Sequence, residues 1–134
     1  MIVEVRYLEK PVSADEKSIA RVIESFLEGR KRGDINALRR CLSDSACIEV
    51  EGGGKKLAIE EFLEYVREYS PTIYNLRYRD LLIRIKSSHE AVASYTCHRQ
   101  HFGSNRFSVS WRLLRFTAGF PDRQWHITDS TCIN

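Results

Sequence analysis

A chain of 134 residues is the size of one domain and can bury roughly two-thirds of the surface that its unfolded form exposes. Hydrophobic residues make up 43% and charged residues 29%, which excludes disorder as the main state, and no apolar run approaches membrane-spanning length. The net charge of +3 is unevenly placed: residues 1–70 carry 12 basic and 14 acidic side chains, residues 71–134 nine and four.

The chain opens on Ile2, Val3, Val5 and Tyr7, the pattern of a short strand that Pro11 ends. Ser13-Ala14-Asp15-Glu16 is a capping box, in which Ser13 can accept from the Glu16 amide while Glu16 reaches back. Ile19, Val22, Ile23, Phe26 and Leu27 follow at helical spacing. Arg30-Lys31-Arg32 falls where cations offset the negative end of a helix dipole, and Gly33 is a natural stop. Asp34 can cap a second, short helix carrying Ile35, Leu38 and Leu42. Residues 46–51 alternate as a strand with Ile48 and Val50 on one face, and Gly52-Gly53-Gly54 permits a reversal. That glycine run lacks the lysine and hydroxyl residue of a phosphate loop. A third helix is predicted from Ile59 to Tyr69, with Ile59, Phe62, Leu63 and Val66 inward and a glutamate-rich outer side, ended by Ser70-Pro71.

Everything from Thr72 onward reads as strand: 72–86, 90–102, then residues 106–117 and 124–134, separated by turns at 87–89, 103–105 and 118–123. Long strands joined by short turns are antiparallel, with one face buried and one wet. Leu81, Ile83 and Ile85 are out of phase with Tyr74, Leu76 and Tyr78, and Leu113 sits beside Leu114, so a bulge and a bend are expected. The last strand buries Trp125 and Ile127, and the same parity carries Asp129 inward. The fold class is α+β: three N-terminal helices on a strongly curved antiparallel sheet. Residues 1–134 form one domain, with residues 1–12 a short N-terminal strand or arm.

The segment GRKRGDINALRRCLSDSACIEVEGGGKKLAIEEFLEYV, with its Gly33-Asp34-Ile35 stop between two helices, resembles the first half of the nuclear transport factor 2-like superfamily. This superfamily includes the ketosteroid isomerase, SnoaL and scytalone dehydratase groups. The aromatic strand around Trp111 and the Trp125-His126-Ile127 motif fit its second half, so the likeness covers roughly residues 13–134. The resemblance implies a conical, cystatin-like roll, an apolar cavity between helices and sheet, and homodimers formed through the outer sheet face. It implies no particular reaction, because function lies in the site and not in the fold.

The residues depart from the isomerase pattern: the first helix has no tyrosine, and Glu49 and Glu51 oppose the apolar parity of their strand. His98 and His101 fall on opposite faces, His126 opposes Trp125, and Arg99 stands between Cys97 and His101, so no metal and no cofactor are expected. The candidate ligand-binding residues are Tyr95, Cys97 and Arg99, on the parity that the resemblance turns inward, with Trp111 on the next strand and Phe26, Phe62 and Tyr65 as helix walls. Asp129 is the candidate catalytic acid/base; it either pairs with Arg99 or serves a ligand beside it.

The expected function is therefore a small-molecule-binding domain for a small apolar or weakly anionic molecule. An isomerase, dehydratase or hydrolase using Asp129 is one alternative. A protein-interaction or dimerisation module using Arg77, Arg79, Arg112 and the His126 side of the sheet is the other. The pI of about 8.7 is below the usual nucleic-acid footprint of above ~9, so nucleic acid is not an expected partner. Nor is a membrane. The charged N-terminus MIVEVRYLEK does not resemble a signal peptide, and Cys41, Cys47, Cys97 and Cys132 form no C-x-x-C pair. A cytoplasmic protein with reduced thiols is expected.

Overall fold

The computed structural model describes residues 2–50, 55–101, 107–118 and 124–132; the side chains of residues 2, 3, 73, 74, 101, 107–116 and 118 are outside the described set. The predicted turns at 52–54, 103–105 and 119–123, and Ile133, lie outside the described residues as well.

Helix α1 (Ala14–Arg32) starts as its capping box dictates, with Ser13 Oγ accepting from the Glu16 amide and Glu16 Oε1 from the Ser13 amide, both at 3.0 Å. It stops at Gly33, whose φ of 68° lies in the left-handed region that favours glycine. The cap fixes where the helix begins, at about 1 kcal/mol. The larger contribution is burial of Ile19, Ile23, Phe26 and Leu27, each stabilising by about 1.5–3 kcal/mol. Helix α2 (Ile35–Cys41) is capped by Asp34, which accepts from the Ala37 amide at 3.1 Å. It is one residue shorter than expected: Leu42 opens strand β2 (Leu42–Glu49). A three-residue strand, β3 (Lys56–Ala58), then pairs antiparallel with β2 and leads straight into α3 (Ile59–Tyr69). The Ser70 hydroxyl, in the short 3-10 turn after α3, donates to the Lys31 carbonyl at 3.1 Å and ties the ends of α1 and α3 together.

The remaining strands are β4 (Ile73–Ile85), β5 (Glu90–His101), β6 (Phe107–Ala118) and β7 (Trp125–Cys132), each antiparallel to the next. The N-terminal strand β1 (Ile2–Tyr7) lies parallel to β4 on one edge, and β2 lies parallel to β7 on the other. One seven-stranded sheet results, in the order β1-β4-β5-β6-β7-β2-β3. Its inner face meets the helices through Leu76, Tyr78, Leu81, Ile83, Ala91, Ala93, Tyr95 and Cys97, all buried.

The phase slip in β4 is a bulge. Register shifts between Arg79 and Leu82, and Asp80 adopts φ 57°, so Leu76 and Tyr78 before it and Leu81 and Ile83 after it all reach the core. A second shift lies between β6 and β7, where Arg115 pairs with Asp129 but Phe116 pairs with Ile127, so Thr128 is the extra residue of a bulge on β7. Among the described residues, no helix is long and apolar enough to cross a membrane.

Candidate functional site

Between the end of α1, the middle of α3 and the inner face of β4 and β5 lies a cluster of aromatic and cationic side chains. On α1 the buried stripe Ile19, Ile23, Phe26 extends by one more helical step to Arg30. Arg30 is thus drawn inward, 9% exposed, with its guanidinium 5.6 Å above the Phe62 ring in a cation–π contact. The neighbouring Lys31 is also buried, and burial lowers its pKa. The basic triplet is therefore only partly a solvated helix end: Arg32 alone of the three is exposed. The rings of Phe26 and Phe62 stack with centroids 6.0 Å apart.

The sheet supplies the opposite wall. Tyr78 on β4 pairs with Cys97 on β5, and Leu76 pairs with Arg99, so Cys97 and Arg99 share the core-facing parity of Tyr78 and Leu76. The ring of Tyr95 meets that of Tyr78 edge-on at 5.3 Å. Tyr78 is 1% exposed, and its hydroxyl has no hydrogen-bond partner among the described residues. Such an orphaned polar group costs about 1–3 kcal/mol. Burial raises the Tyr78 pKa well above the usual phenol value; Cys97 and Tyr95 push the same way, while the positive charges of Arg30 and Arg99 oppose it. The hydroxyl therefore stays protonated, a hydrogen-bond donor in the field of two guanidiniums. The arrangement suits an acceptor oxygen carrying partial or full negative charge.

Of the residues expected at a site, Phe26, Phe62, Tyr95, Cys97 and Arg99 come together around this cluster, with Tyr78 and Arg30 added. The last two were legible in principle: Tyr78 by its parity with Leu76, Arg30 as the next step of the Ile19–Phe26 stripe. Tyr65 is only partly buried; its ring packs 4.6 Å from that of the exposed Tyr69. It borders an open hollow of about 580 Å³ on the outer side of α3, rimmed by Glu61, Glu64 and Glu68. Trp111 stands opposite Thr96 in register, one residue out of step with Tyr95 and Cys97; its side chain lies outside the described residues.

Asp129 is where the expectation fails. Because Thr128 is bulged, the alternation after Ile127 reverses, and it is Ser130 that is buried, at 3% exposure, opposite Ile48. Asp129 pairs instead with the exposed Cys47 on the other face, where its carboxylate accepts from Lys56 Nζ at 2.5 Å and Thr131 Oγ1 at 2.7 Å. Nor is it near Arg99. The rung of Asp129 runs through Arg115 to Val92, and Val92 is seven residues along β5 from Arg99, roughly 23 Å at about 3.3 Å per residue. The expected ion pair is excluded by distance, and an acid/base role beside Arg99 is excluded with it. Trp125 keeps its inward place, 4% exposed, and its indole N–H donates to Asp15 Oδ1 at 3.1 Å, closing the start of α1 against β7.

No family model matches the sequence, and a search of curated proteins found no match. The fold, by contrast, is widely shared. An NTF2-like protein from Cytophaga hutchinsonii superposes with a TM-score of 0.72 at 16% identity, over 90% of this chain and 98% of its own. An NTF2-like protein of unknown function in nutrient uptake from Rhodospirillum rubrum gives 0.72 at 17% identity, over 85% and 95%. A ketosteroid isomerase-like protein from Erwinia carotovora atroseptica gives 0.69 at 13%, over 92% and 99%. The chain therefore has the α+β cone fold of the nuclear transport factor 2-like proteins. Identities this low establish the fold and leave the function to the site.

Proposed function

We propose that the protein binds a small, weakly anionic organic molecule between α1, α3 and the inner face of β4 and β5. The observation that carries this reading is the Tyr78 hydroxyl, buried and without a hydrogen-bond partner among the described residues, within the field of Arg30 and Arg99. A donor left unsatisfied at that cost is accounted for when a ligand oxygen completes it. Phe26, Phe62 and Tyr95 offer apolar walls, so a carboxylate or enolate on a compact apolar body fits this chemistry best. Likeness of fold to a ketosteroid isomerase-like protein agrees with an apolar ligand of modest size.

The test is a calorimetric titration with short-chain and aromatic carboxylates, each paired with its uncharged amide. Carboxylates are expected to bind more tightly than the amides, and Tyr78→Phe to weaken carboxylate binding by roughly tenfold or more, the loss of one charge-assisted hydrogen bond. Without ligand, Tyr78→Phe should stabilise the fold by about 1 kcal/mol, because it removes an unsatisfied group. Unchanged carboxylate affinity in Tyr78→Phe, or a loss of ligand-free stability, would overturn the reading.

A further inference from the structure

A second concavity lies on the opposite side of α1, where α1 crosses α2. It encloses about 290 Å³, close to the lower end of the range for small-molecule sites, roughly 300–1,000 Å³. The helices approach closely at Gly29: a Cβ there would come within 3.2 Å of the Leu38 side chain. Small residues on both helices, Ser25 and Gly29 on α1 and Ala37 on α2, leave the groove open beside that contact. Its rim carries three arginines, Arg21 and Arg32 from α1 and Arg40 from α2.

Two carboxylates also line the groove, and each already has a partner. Glu28 pairs with Arg32 at 3.0 Å, one helical turn on. Asp34 turns its oxygen to the Ala37 amide as the cap of α2. That leaves Arg21 and Arg40. Arg21 donates to the Ser18 hydroxyl at 3.2 Å, and Arg40 makes no hydrogen bond or ion pair among the described residues. The remaining ionisable side chain of the lining, Cys41, donates to the Val22 carbonyl, and burial pushes its thiol up to about 11, so it adds no negative charge at neutral pH. Two guanidiniums from different helices thus flank a hollow floored by small side chains, with no carboxylate bound to either.

We infer that this groove is an anion site separate from the interior one, and that it takes the phosphoryl group of a small phosphorylated molecule between Arg21 and Arg40. Planar guanidiniums match the oxygen spacing of a tetrahedral anion and bind it by paired, charge-assisted hydrogen bonds. The volume of about 290 Å³ admits a small phosphate ester.

The experiment uses the full chain with pyrophosphate as probe, read by calorimetry and thermal unfolding, with sodium chloride at matched ionic strength as the control. Pyrophosphate is expected to bind and to raise the unfolding temperature beyond the chloride control. The double variant Arg21→Ala/Arg40→Ala should lose at least tenfold in affinity, since each arginine supplies a charge-assisted contact. Both residues are exposed, so the variant is expected to fold, with circular dichroism as the check. Arg21→Lys/Arg40→Lys keeps the charge and should retain weaker binding, which also covers a double alanine variant that fails to fold. Tyr78→Phe should leave pyrophosphate binding unchanged. A response equal to that of chloride, one that survives in the alanine variant, or one abolished by Tyr78→Phe would overturn the inference. So would binding of a single-stranded oligonucleotide without binding of pyrophosphate.

Discussion

Strands β5 and β7 carry the same kind of alternation, yet one delivers its charge to the core face and the other to the outer face. In β5 the parity runs unbroken from Ala91 through Tyr95 and Cys97 to Arg99, on the rungs of the core residues Ile83, Tyr78 and Leu76. In β7 it holds through Trp125 and Ile127 and then reverses at the bulged Thr128, so Asp129 joins Lys56 outside while Ser130 takes the buried position. A single extra residue decides whether a carboxylate meets the core or a lysine. Because the side-chain period of a strand is two, no smaller change could do it.

The sharpest way to break that comparison is to exchange the two residues after the bulge, Asp129→Ser with Ser130→Asp. The carboxylate then moves from Lys56 to a site 3% exposed on the rung of Ile48. An unpaired charge there should cost about 3–5 kcal/mol, measured as a shift in the urea midpoint. Ser130→Ala, which buries no charge, should cost less than about 1 kcal/mol. If the exchange costs no more than Asp129→Ser alone, Ser130 does not face the core and the bulge is misplaced.

Why β4 disclosed its bulge in the sequence and β7 did not is a matter of which residues follow the break. After Asp80 come Leu81, Ile83 and Ile85, apolar and visibly out of phase with Leu76 and Tyr78. After Thr128 come Asp129, Ser130, Thr131 and Cys132, a polar run that marks neither face, so the parity of Trp125 and Ile127 extrapolates one residue too far. Local chemistry was readable throughout: the Ser13–Glu16 box, the left-handed Gly33, the Asp34 cap and the bounds of α3 all rest on contacts within a few residues. Pairing across the chain was not. Nothing near Lys56-Leu57-Ala58 announces a strand until β2 lies beside it, and nothing in β1 or β2 announces that each runs parallel to a distant strand. Of the residues in the proposed interior site, Tyr95, Cys97 and Arg99 followed from β5 parity alone. Arg30 was hidden because a basic residue in a last helical turn has an ordinary explanation in the helix dipole, although its spacing from Phe26 continues the buried stripe.

The inner face can also be separated from the outer by titration. Burial raises the Tyr78 pKa above 10.0, so the unfolded chain releases that proton while the folded chain holds it. The sign follows directly: the stability contributed is fully present below pH 10 and is lost as pH rises further, by about 1.4 kcal/mol per pH unit. Tyr78→Phe lacks this slope. Urea midpoints between pH 8 and pH 11 should therefore show a constant gap between the two proteins up to pH 10 and a gap widening in favour of Tyr78→Phe beyond it. A parallel pair of curves would mean that the phenol ionises alike in both states, and Tyr78 would not be a buried donor.

The smallest effect belongs to the outer carboxylate. The Lys56–Asp129 contact is short, but the two side chains are 38% and 18% exposed, so solvent screens the pair and ordering the lysine offsets part of its attraction. Asp129→Asn keeps an acceptor for Thr131 Oγ1 and removes only the charge. It should cost less than about 1 kcal/mol, and less still at high salt. It should also leave carboxylate binding at the interior site unaltered, since the rungs place Asp129 roughly 23 Å along the sheet from Arg99, at about 3.3 Å per residue. A carboxylate affinity that falls with Asp129→Asn would return Asp129 to the interior and make the two strands equivalent after all. Equal loss of stability at low and high salt would point the same way, because only a pair shielded from water escapes screening.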